Sequence, residues 1–160
     1  INDLATANRE PNKLEEIKRI RRVAGSGEPI KVKLVKADLF TLDAYNTAYL
    51  FDIKTAKPNI SNFKDFKRTL LEWIAVYLYR DVNAEVHSYI AIPYNPYEPK
   101  PYERWTLKGM LDLNNELMVG KEFWDFLGGE GAYEDLLDCF EQAGVELRPI
   151  LDEYFSSLSE

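Results

Sequence analysis

The sequence lacks the residues on which several protein classes depend. A single cysteine, Cys139, among 160 residues excludes an intrachain disulfide framework and a thiolate metal cluster. No apolar run approaches the ~18 residues that cross a bilayer, and the longest, residues 73–79, has the length of a core helix segment. No signal-peptide pattern opens the chain. We therefore expect a protein of a reducing, cytoplasmic compartment with no membrane partner.

Phosphate-binding loops and nucleophile motifs are also missing. Gly25-Ser-Gly27 is not followed by Lys-Ser/Thr, and residues 128–131 form an acidic turn. The one histidine, His87, lies in a strand-like run with no nucleophile elbow nearby, so we interpret it as a packed or surface residue. These absences disfavour a P-loop nucleotide site and a Ser-His-Asp hydrolase.

Net charge is unevenly distributed along the chain. The total is −7, which by itself argues against a nucleic-acid partner. Residues 109–160 hold two basic and thirteen acidic residues, a balance of −11. The remaining eighteen basic and fourteen acidic residues leave residues 1–108 at +4. The acidity belongs to the tail, and a basic first part is compatible with nucleic acid.

The most informative stretch is residues 49–59, which predicts an apolar strand ending in charged residues and a proline. Because side chains alternate across a strand, Asp52 and Lys54 face one side. An acid and a lysine so placed are the minimal set for holding a metal ion and orienting a water beside it. The spacing alone is unspecific, since it recurs at three sites that we interpret as solvated charges: Glu16-Ile-Lys18, Asp65-Phe-Lys67 and Glu98-Pro-Lys100.

A second carboxylate is predicted to approach this motif through a hairpin. Three strands are predicted, at residues 30–34, 37–42 and 47–54. If the turn at 43–46 forms the loop, Asp38 faces Phe51, one position from Asp52. A bulge or small shift then brings both carboxylates to one edge, where a metal ion can bridge them. The alternative is that Asp38 only begins its strand.

A basic rim is predicted beside the motif. A helix capped by Asn59 or Ser61 is expected to run to about Arg80, with a buried stripe at positions 63, 66, 70, 73, 74 and 77. Its first two turns, where the helix dipole favours acids, instead carry the cations Lys64, Lys67 and Arg68. With Lys54 and Lys57 they suggest a nearby anion. The alternative for each is a solvated helix face.

The tail is predicted to be helical over residues 107–118, 121–127, 133–143 and 147–158, with Gly144 ending the third helix. Its apolar residues are expected to form the core of a helical appendage: Phe123, Trp124, Phe126, Leu127, Leu136, Leu137 and Phe140. We thus expect one domain over residues 1–160, with an α/β core at about 12–100 and a helical part at about 105–158.

The order helix, strand, strand, strand, helix, strand, with Asp38, Asp52 and Lys54 at these places, resembles the PD-(D/E)xK nuclease fold. Ala37 stands where that pattern has proline. Three stretches are similar to type II restriction endonucleases of the TdeIII family, a resemblance over about residues 30–156: residues 51–59, 92–98 and 123–133. It implies an α/β fold with a mixed central sheet flanked by helices and a C-terminal helical region. Family members are typically longer, so N-terminal residues are expected to be missing.

The resemblance implies cleavage of double-stranded DNA at sites of the GGNCC kind in a prokaryotic cytoplasm. Asp38, Asp52 and the carbonyl of Ile53 would hold Mg²⁺, with Mn²⁺ as an alternative. Lys54 would orient or help to deprotonate the attacking water. A further acid is expected from Glu15 or Glu16 on a first helix at residues 11–24.

DNA contacts are expected from two regions of the chain. Lys57, Lys64 and Arg68 are placed to contact phosphates, which positions DNA without reading its sequence. The proline-rich loop at residues 93–101 offers Tyr94, Asn95 and Tyr97 to sugar, phosphate or base. Because one site per chain must serve two strands, a homodimer is expected.

Three other interpretations stay open, the plainest being an α/β domain in which the Asp-x-Lys spacing of Asp52 and Lys54 is accidental. The same fold can serve a DNA repair or junction-resolving nuclease, which would prefer branched DNA to linear duplex. The domain can also be a catalytically silent binding or regulatory module that works through its acidic tail, in which case it would not bind Mg²⁺ or Mn²⁺.

Overall fold

The structure, a computed structural model, describes residues 10–26, 28, 35–56, 63–102 and 109–158. The elements in chain order are α1 (Lys13–Val23), β1 (Leu39–Leu42), β2 (Ala48–Ile53), α2 (Phe63–Arg80), β3 (Val86–Ile92), α3 (Leu113–Glu116), β4 (Leu117–Val119), α4 (Lys121–Gly128) and α5 (Ala132–Ser157). They belong to two compact units, the sheet unit Ile1–Val119 and the helical unit Gly120–Glu160. Among the described helices, none is long and apolar enough to cross a membrane.

The sheet is mixed and has the strand order β1-β2-β3-β4. β1 runs antiparallel to β2, whereas β2, β3 and β4 are mutually parallel. Side chains from one sheet face pack with the buried stripe of α2, which includes Leu70, Trp73 and Ile74. α1 adds Ile17 to the part of the core that contains Ile74. The α/β fold with a mixed sheet and flanking helices, predicted from the sequence, is confirmed.

Most predicted elements of the sheet unit are confirmed within two residues of their ends. The helix predicted to end at Arg80 does so, and the strand-like run that contains His87 is β3. The predicted strand at residues 30–34 and the proposed caps Asn59 and Ser61 lie outside the described residues. His87 is half-buried, stacked on Tyr49 with ring centroids 5.4 Å apart, in agreement with a packed residue.

The helix predicted over residues 107–118 is wrong where the structure describes it. Only Leu113–Glu116 is helical, and Leu117–Val119 is a strand that pairs in parallel with Ile90–Ile92. Gly109 and Gly120 both have positive φ, 86° and 53°, which interrupts a helix on either side. The apolar triplet therefore completes the sheet, because burial beside β3 outweighs local helix propensity.

The predicted break at Gly144 is also wrong. α5 continues through Gly144 and Pro149 to Ser157. A mid-helix glycine costs roughly 1 kcal/mol relative to alanine and does not by itself end a helix. The predicted appendage core is only partly buried: Phe123 is 2% exposed, whereas Phe126 is 38% and Phe140 67% exposed.

Four charged side chains form a buried network between α1, α2, α3 and β3. Lys13 Nζ donates to Glu116 Oε1 at 2.9 Å and to Ser88 Oγ at 2.8 Å. Lys67 Nζ donates to Glu116 Oε2 at 2.6 Å and also to Glu16 Oε2. Two ammonium groups and two carboxylates balance to zero charge. Burial lowers the pKa of Lys13 and raises that of Glu16, and the ion partners oppose both shifts.

Removing one member of this network should destabilise the fold strongly. We expect Lys67→Met to lower the free energy of unfolding by about 3–5 kcal/mol, because Glu116 and Glu16 lose a buried counter-charge. Urea denaturation followed by circular dichroism measures the change. Lys18→Met is the matched control, since Lys18 and Glu15 form an exposed pair at 2.7 Å and should contribute little. Equal effects of the two substitutions would contradict the assigned importance of the network.

Candidate active site

The hairpin between β1 and β2 fixes which residues meet at the strand end. Asp43 Oδ1 accepts the N–H groups of Tyr45 and Thr47, both at 2.8 Å, and Asn46 takes a φ of 64°. The resulting loop has five residues, so that Leu39 pairs with Phe51.

This register corrects the predicted pairing by one residue. Asp38 was expected opposite Phe51, but Leu39 occupies that place. Asp38 lies one residue before Leu39, where the paired register ends, and its own N–H also bonds to Phe51. The Asp43 carboxylate closes a loop one residue longer than predicted. This longer loop supplies the shift that brings the Asp38 and Asp52 carboxylates to the same edge of the sheet.

Asp38 is anchored to the end of β2 at two points. Its backbone N–H donates to the carbonyl of Phe51 at 2.9 Å, and its Oδ2 accepts the N–H of Ile53, also at 2.9 Å. The side chain therefore lies across the last residues of the central strand while remaining exposed to solvent.

Asp52 and Lys54 lie on the same side of the strand end. Lys54 Nζ is 2.5 Å from Asp52 Oδ1, and its backbone N–H continues the pairing with Ala91 of β3 at 2.8 Å. Asp52 is 6% exposed, whereas the Lys54 side chain is 28% exposed. The Phe66 ring of α2 lies 5.0 Å from the Lys54 ammonium, within cation–π range. Lys54 is thus held between a carboxylate and an aromatic ring.

The surroundings make the charge of Asp52 costly. Burial raises the pKa of Asp52, the Lys54 ammonium lowers it, and the nearby Asp38 carboxylate raises it again, with a net upward direction. A buried carboxylate beside a second carboxylate is an arrangement that a bound cation relieves.

The two carboxylates suit a hard divalent cation. Mg²⁺ is usually held by one or two carboxylates together with waters and substrate phosphates, and Asp38 with Asp52 supplies that donor set. Within the described part of the chain, no group of three or more His, Cys, Asp or Glu side chains is arranged to hold a metal ion. The Ile53 carbonyl stays a further ligand expected from the sequence.

The acids expected from α1 have other partners. Glu15 pairs with Lys18 at 2.7 Å on the exposed face of the helix. Glu16 accepts from Lys67 in the buried network. Lys67 itself is 0% exposed, so the interpretation of Lys67 and Glu16 as solvated charges is wrong. The anion that Lys67 faces is provided by Glu16 and Glu116 of the protein itself.

The residues expected to contact DNA are mostly exposed. Lys64 and Arg68 lie on the solvent side of the first turns of α2, and Arg68 is 3.8 Å from Asp65. Tyr94 is 56% and Tyr97 36% exposed, with Tyr97 packed on Tyr102 at 5.9 Å between ring centroids. Lys57 lies outside the described residues.

Asn95 is held within its own loop. Its amide nitrogen donates to the carbonyl of Lys100 at 2.7 Å, and its amide oxygen accepts the N–H of Tyr97 at 3.0 Å. Both ends of the side chain thereby shape the loop, so a contact to DNA would have to share or replace these bonds.

The sequence interpretation missed Lys13, Ser88 and Glu116. The sequence did indicate burial of both lysines of the network, because each lies on the same helix face as a buried apolar residue. Lys13 is four residues before Ile17, and Lys67 is seven before Ile74. Glu116 gave no such signal, because its helix has only four residues.

A comparison with known families now identifies the type of protein. The model of the family described as type II restriction endonuclease, HinfI, matches residues 1–144. The chain belongs to this family. The type II restriction endonuclease class predicted from the sequence is confirmed, but the family named is HinfI. The narrower TdeIII assignment remains a prediction.

Individual relatives of this HinfI-family chain are also named type II restriction enzymes. The type II restriction enzyme HgiCII of Herpetosiphon aurantiacus is 26% identical over 137 residues, covering 84% of this chain and 49% of HgiCII. HgiEI of the same organism is 25% identical over 146 residues, 89% of this chain and 52% of HgiEI. MjaII of Methanocaldococcus jannaschii is 26% identical over 144 residues, 81% of this chain and 38% of MjaII. The chain thus spans about half the length of the Herpetosiphon relatives and less of MjaII.

The raised pKa of Asp52 predicts a stability gain on its neutralisation. A group with a raised folded-state pKa contributes stability that is complete below its unfolded pKa and lost as pH rises through the folded value. Asp52→Asn should therefore raise the free energy of unfolding of the metal-free protein at pH 7. The gain should shrink as pH falls below the ordinary carboxyl pKa of about 4. Chemical denaturation in EDTA across this pH range measures it.

Asp43→Asn is the control with the opposite sign. The hydrogen bond from the Thr47 backbone N–H and the other turn contacts lower the pKa of Asp43. Its charge stabilises the fold at neutral pH, so its neutralisation should give no gain. A loss of stability in Asp52→Asn at pH 7 would contradict the electrostatic description of the site.

Proposed function

We propose that the chain carries the catalytic core of a type II restriction endonuclease that hydrolyses phosphodiester bonds in double-stranded DNA with Mg²⁺, Mn²⁺ being an alternative. The observation that carries this proposal is the meeting of Asp38, Asp52 and Lys54 at the end of β2. Membership of the HinfI family supports the substrate class.

The chemistry assigns a different task to each of the three side chains. Asp38 and Asp52 would hold the cation, with the Ile53 carbonyl as a further ligand. When bound, Mg²⁺ neutralises phosphate charge and lowers the pKa of a coordinated water. Lys54 would hydrogen-bond the attacking water and the negative charge that develops on the phosphate. The Asp52 contact at 2.5 Å and the Phe66 ring hold its ammonium group at the strand end.

DNA would be positioned by exposed cations of the sheet unit. We assign phosphate contacts to Lys64 and Arg68, whose side chains are exposed on the first turns of α2. Lys57, outside the described residues, is assigned the same role from the sequence alone. Tyr94, Asn95 and Tyr97 are candidates for contacts to sugar or base. Phosphate contacts would supply affinity that depends on salt, and base contacts would supply specificity.

A site of the GGNCC kind is proposed as the target, on the strength of the TdeIII resemblance. Such a site is two-fold symmetric, and one catalytic centre per chain must cut two strands. We therefore propose that the active form is a homodimer whose symmetry matches that of the DNA. A repair or junction-resolving nuclease would instead prefer branched substrates.

Cleavage of plasmid DNA tests the proposed function. With Mg²⁺, the parent should produce discrete fragments whose ends define one short sequence. Asp38→Asn, Asp52→Asn and Lys54→Met should each reduce the rate by at least about a hundredfold, because each removes a group that acts in the transition state. Lys18→Met is the matched control at an exposed position remote from the strand end and should cut like the parent.

Three outcomes would count against the proposal. Cleavage that persists in EDTA would exclude metal dependence. A preference for branched over linear duplex would favour the repair enzyme. Absence of both cleavage and Mg²⁺ binding, in a chain that folds, would favour the silent binding module.

Salt dependence tests the phosphate contacts separately from chemistry. In an Asp52→Asn background, Lys64→Ala and Arg68→Ala should each weaken binding to any duplex and lower the slope of log K against log salt by about 0.9. Fluorescence anisotropy over a range of NaCl concentrations measures the slope. Lys18→Ala, which removes an exposed cation of α1, should leave it unchanged. Unchanged slopes for all three variants would remove Lys64 and Arg68 from the interface.

A further inference from the structure

The second half of the helical unit exposes an apolar helix. Every residue from Leu137 to Leu158 is exposed in the isolated chain. The large apolar side chains among them are far from buried: Phe140 is 67%, Leu147 51%, Leu151 51% and Tyr154 58% exposed. An exposed apolar surface of this length marks an interaction site.

The apolar residues recur with the period of a coiled coil. Leu137, Gly144, Leu151 and Leu158 are seven residues apart, and Phe140, Leu147 and Tyr154 follow the first three of them by three residues. These are the a and d positions of three successive heptads. The acids Asp138, Glu146, Asp152 and Glu153 all fall on positions b or c, away from this seam. Pro149, which lacks an N–H, falls on the outer position f.

We propose that this seam pairs in antiparallel fashion with the same helix of a second copy of this chain. The interface deepens the homodimer proposed above and rests on that part of the proposed function. Its tests measure association and not cleavage, so the two proposals can fail separately.

Gly144 indicates a close partner. A Cβ added there would meet nothing within 4 Å in the isolated chain, so no intrachain contact requires glycine at this position. Glycine inside a helix nevertheless weakens it. In one register of an antiparallel seam, Gly144 faces the partner's Leu147. The absence of a side chain at Gly144 then leaves room for that leucine. The same register places Leu137 against the partner's Tyr154 and Phe140 against the partner's Leu151.

The flanking charges select this orientation. Antiparallel pairing in that register brings Glu141 beside the partner's Arg148, twice by symmetry, and Arg148 is the only basic residue of α5. It also brings Ala143 beside the partner's Ile150. Parallel pairing would instead stack Gly144 on Gly144 and leave Glu141 beside apolar residues. A second copy therefore satisfies both the shape and the charge of the seam.

A charge swap tests partner and orientation together. The parent should be dimeric by light scattering and sedimentation equilibrium. Glu141→Lys and Arg148→Glu should each weaken the dimer by about tenfold, since each turns two attractive contacts into repulsive ones. The double variant should recover affinity to within about threefold of the parent, because the pairs are re-formed with reversed signs.

Two further variants separate the seam from general effects. Gly144→Leu should abolish dimerisation while leaving the chain folded by circular dichroism, because leucine favours helix but occupies the space of the partner's Leu147. Asp138→Lys makes the same charge change as Glu141→Lys at an outer position and should leave dimerisation unchanged.

A parent that is monomeric over a hundredfold range of concentration would overturn the proposal, and would favour packing of this helix against another protein or another segment of polypeptide. A dimer that resists both single reversals, or a double variant that does not recover, would overturn the antiparallel seam.

Discussion

The buried ion network of Lys13, Glu16, Lys67 and Glu116 is the interaction on which the sheet unit depends most. It joins α1, α2 and the short helix before β4 to the centre of the sheet through Ser88, whose hydroxyl donates to the carbonyl of Leu70 at 3.0 Å. Desolvated charges are stabilising only if all are paired, and within the described residues no buried side-chain nitrogen or oxygen lacks a partner. The network therefore enforces one relative placement of these elements, because an altered packing would leave a charge unpaired.

The position of α2 also determines part of the proposed active site. Phe66 precedes Lys67, the most deeply held lysine of the network, and its ring lies beside the Lys54 ammonium. Lys54 in turn contacts Asp52, whose charge is disfavoured by burial and by Asp38. The fold thus contains two charge systems of different character. The first is closed and neutral, whereas the second carries two carboxylates against one ammonium group and is open to a cation. This contrast supports a structural role for the network and a catalytic role for the strand end.

How much of this arrangement the sequence predicts depends on the range of the interactions. The alternation in β2 and the apolar stripe of α2 are local, and they predicted the strand end with Asp52 and Lys54 on one side. The register of the β1–β2 hairpin was off by one residue because it depends on how the Asp43 carboxylate closes the loop. β4 and the buried lysines could not be assigned from propensity, because both depend on partners far along the chain. The strand pairs with Ile90–Ile92. Lys67 and Lys13 both bond to Glu116, about fifty and a hundred positions away. The continuation of α5 through Gly144 was missed because glycine was treated as a stop signal.

The most direct test of the central claim is a crystal structure of the Mn²⁺-soaked protein, with anomalous scattering used to locate the ion. An anomalous peak bonded to one oxygen of Asp38 and one of Asp52, with the Lys54 ammonium beside it and the buried network unchanged, is the result that the account predicts. A peak at Glu15 or Glu16 instead, or none at the end of β2 while Mn²⁺ binds elsewhere, would contradict it.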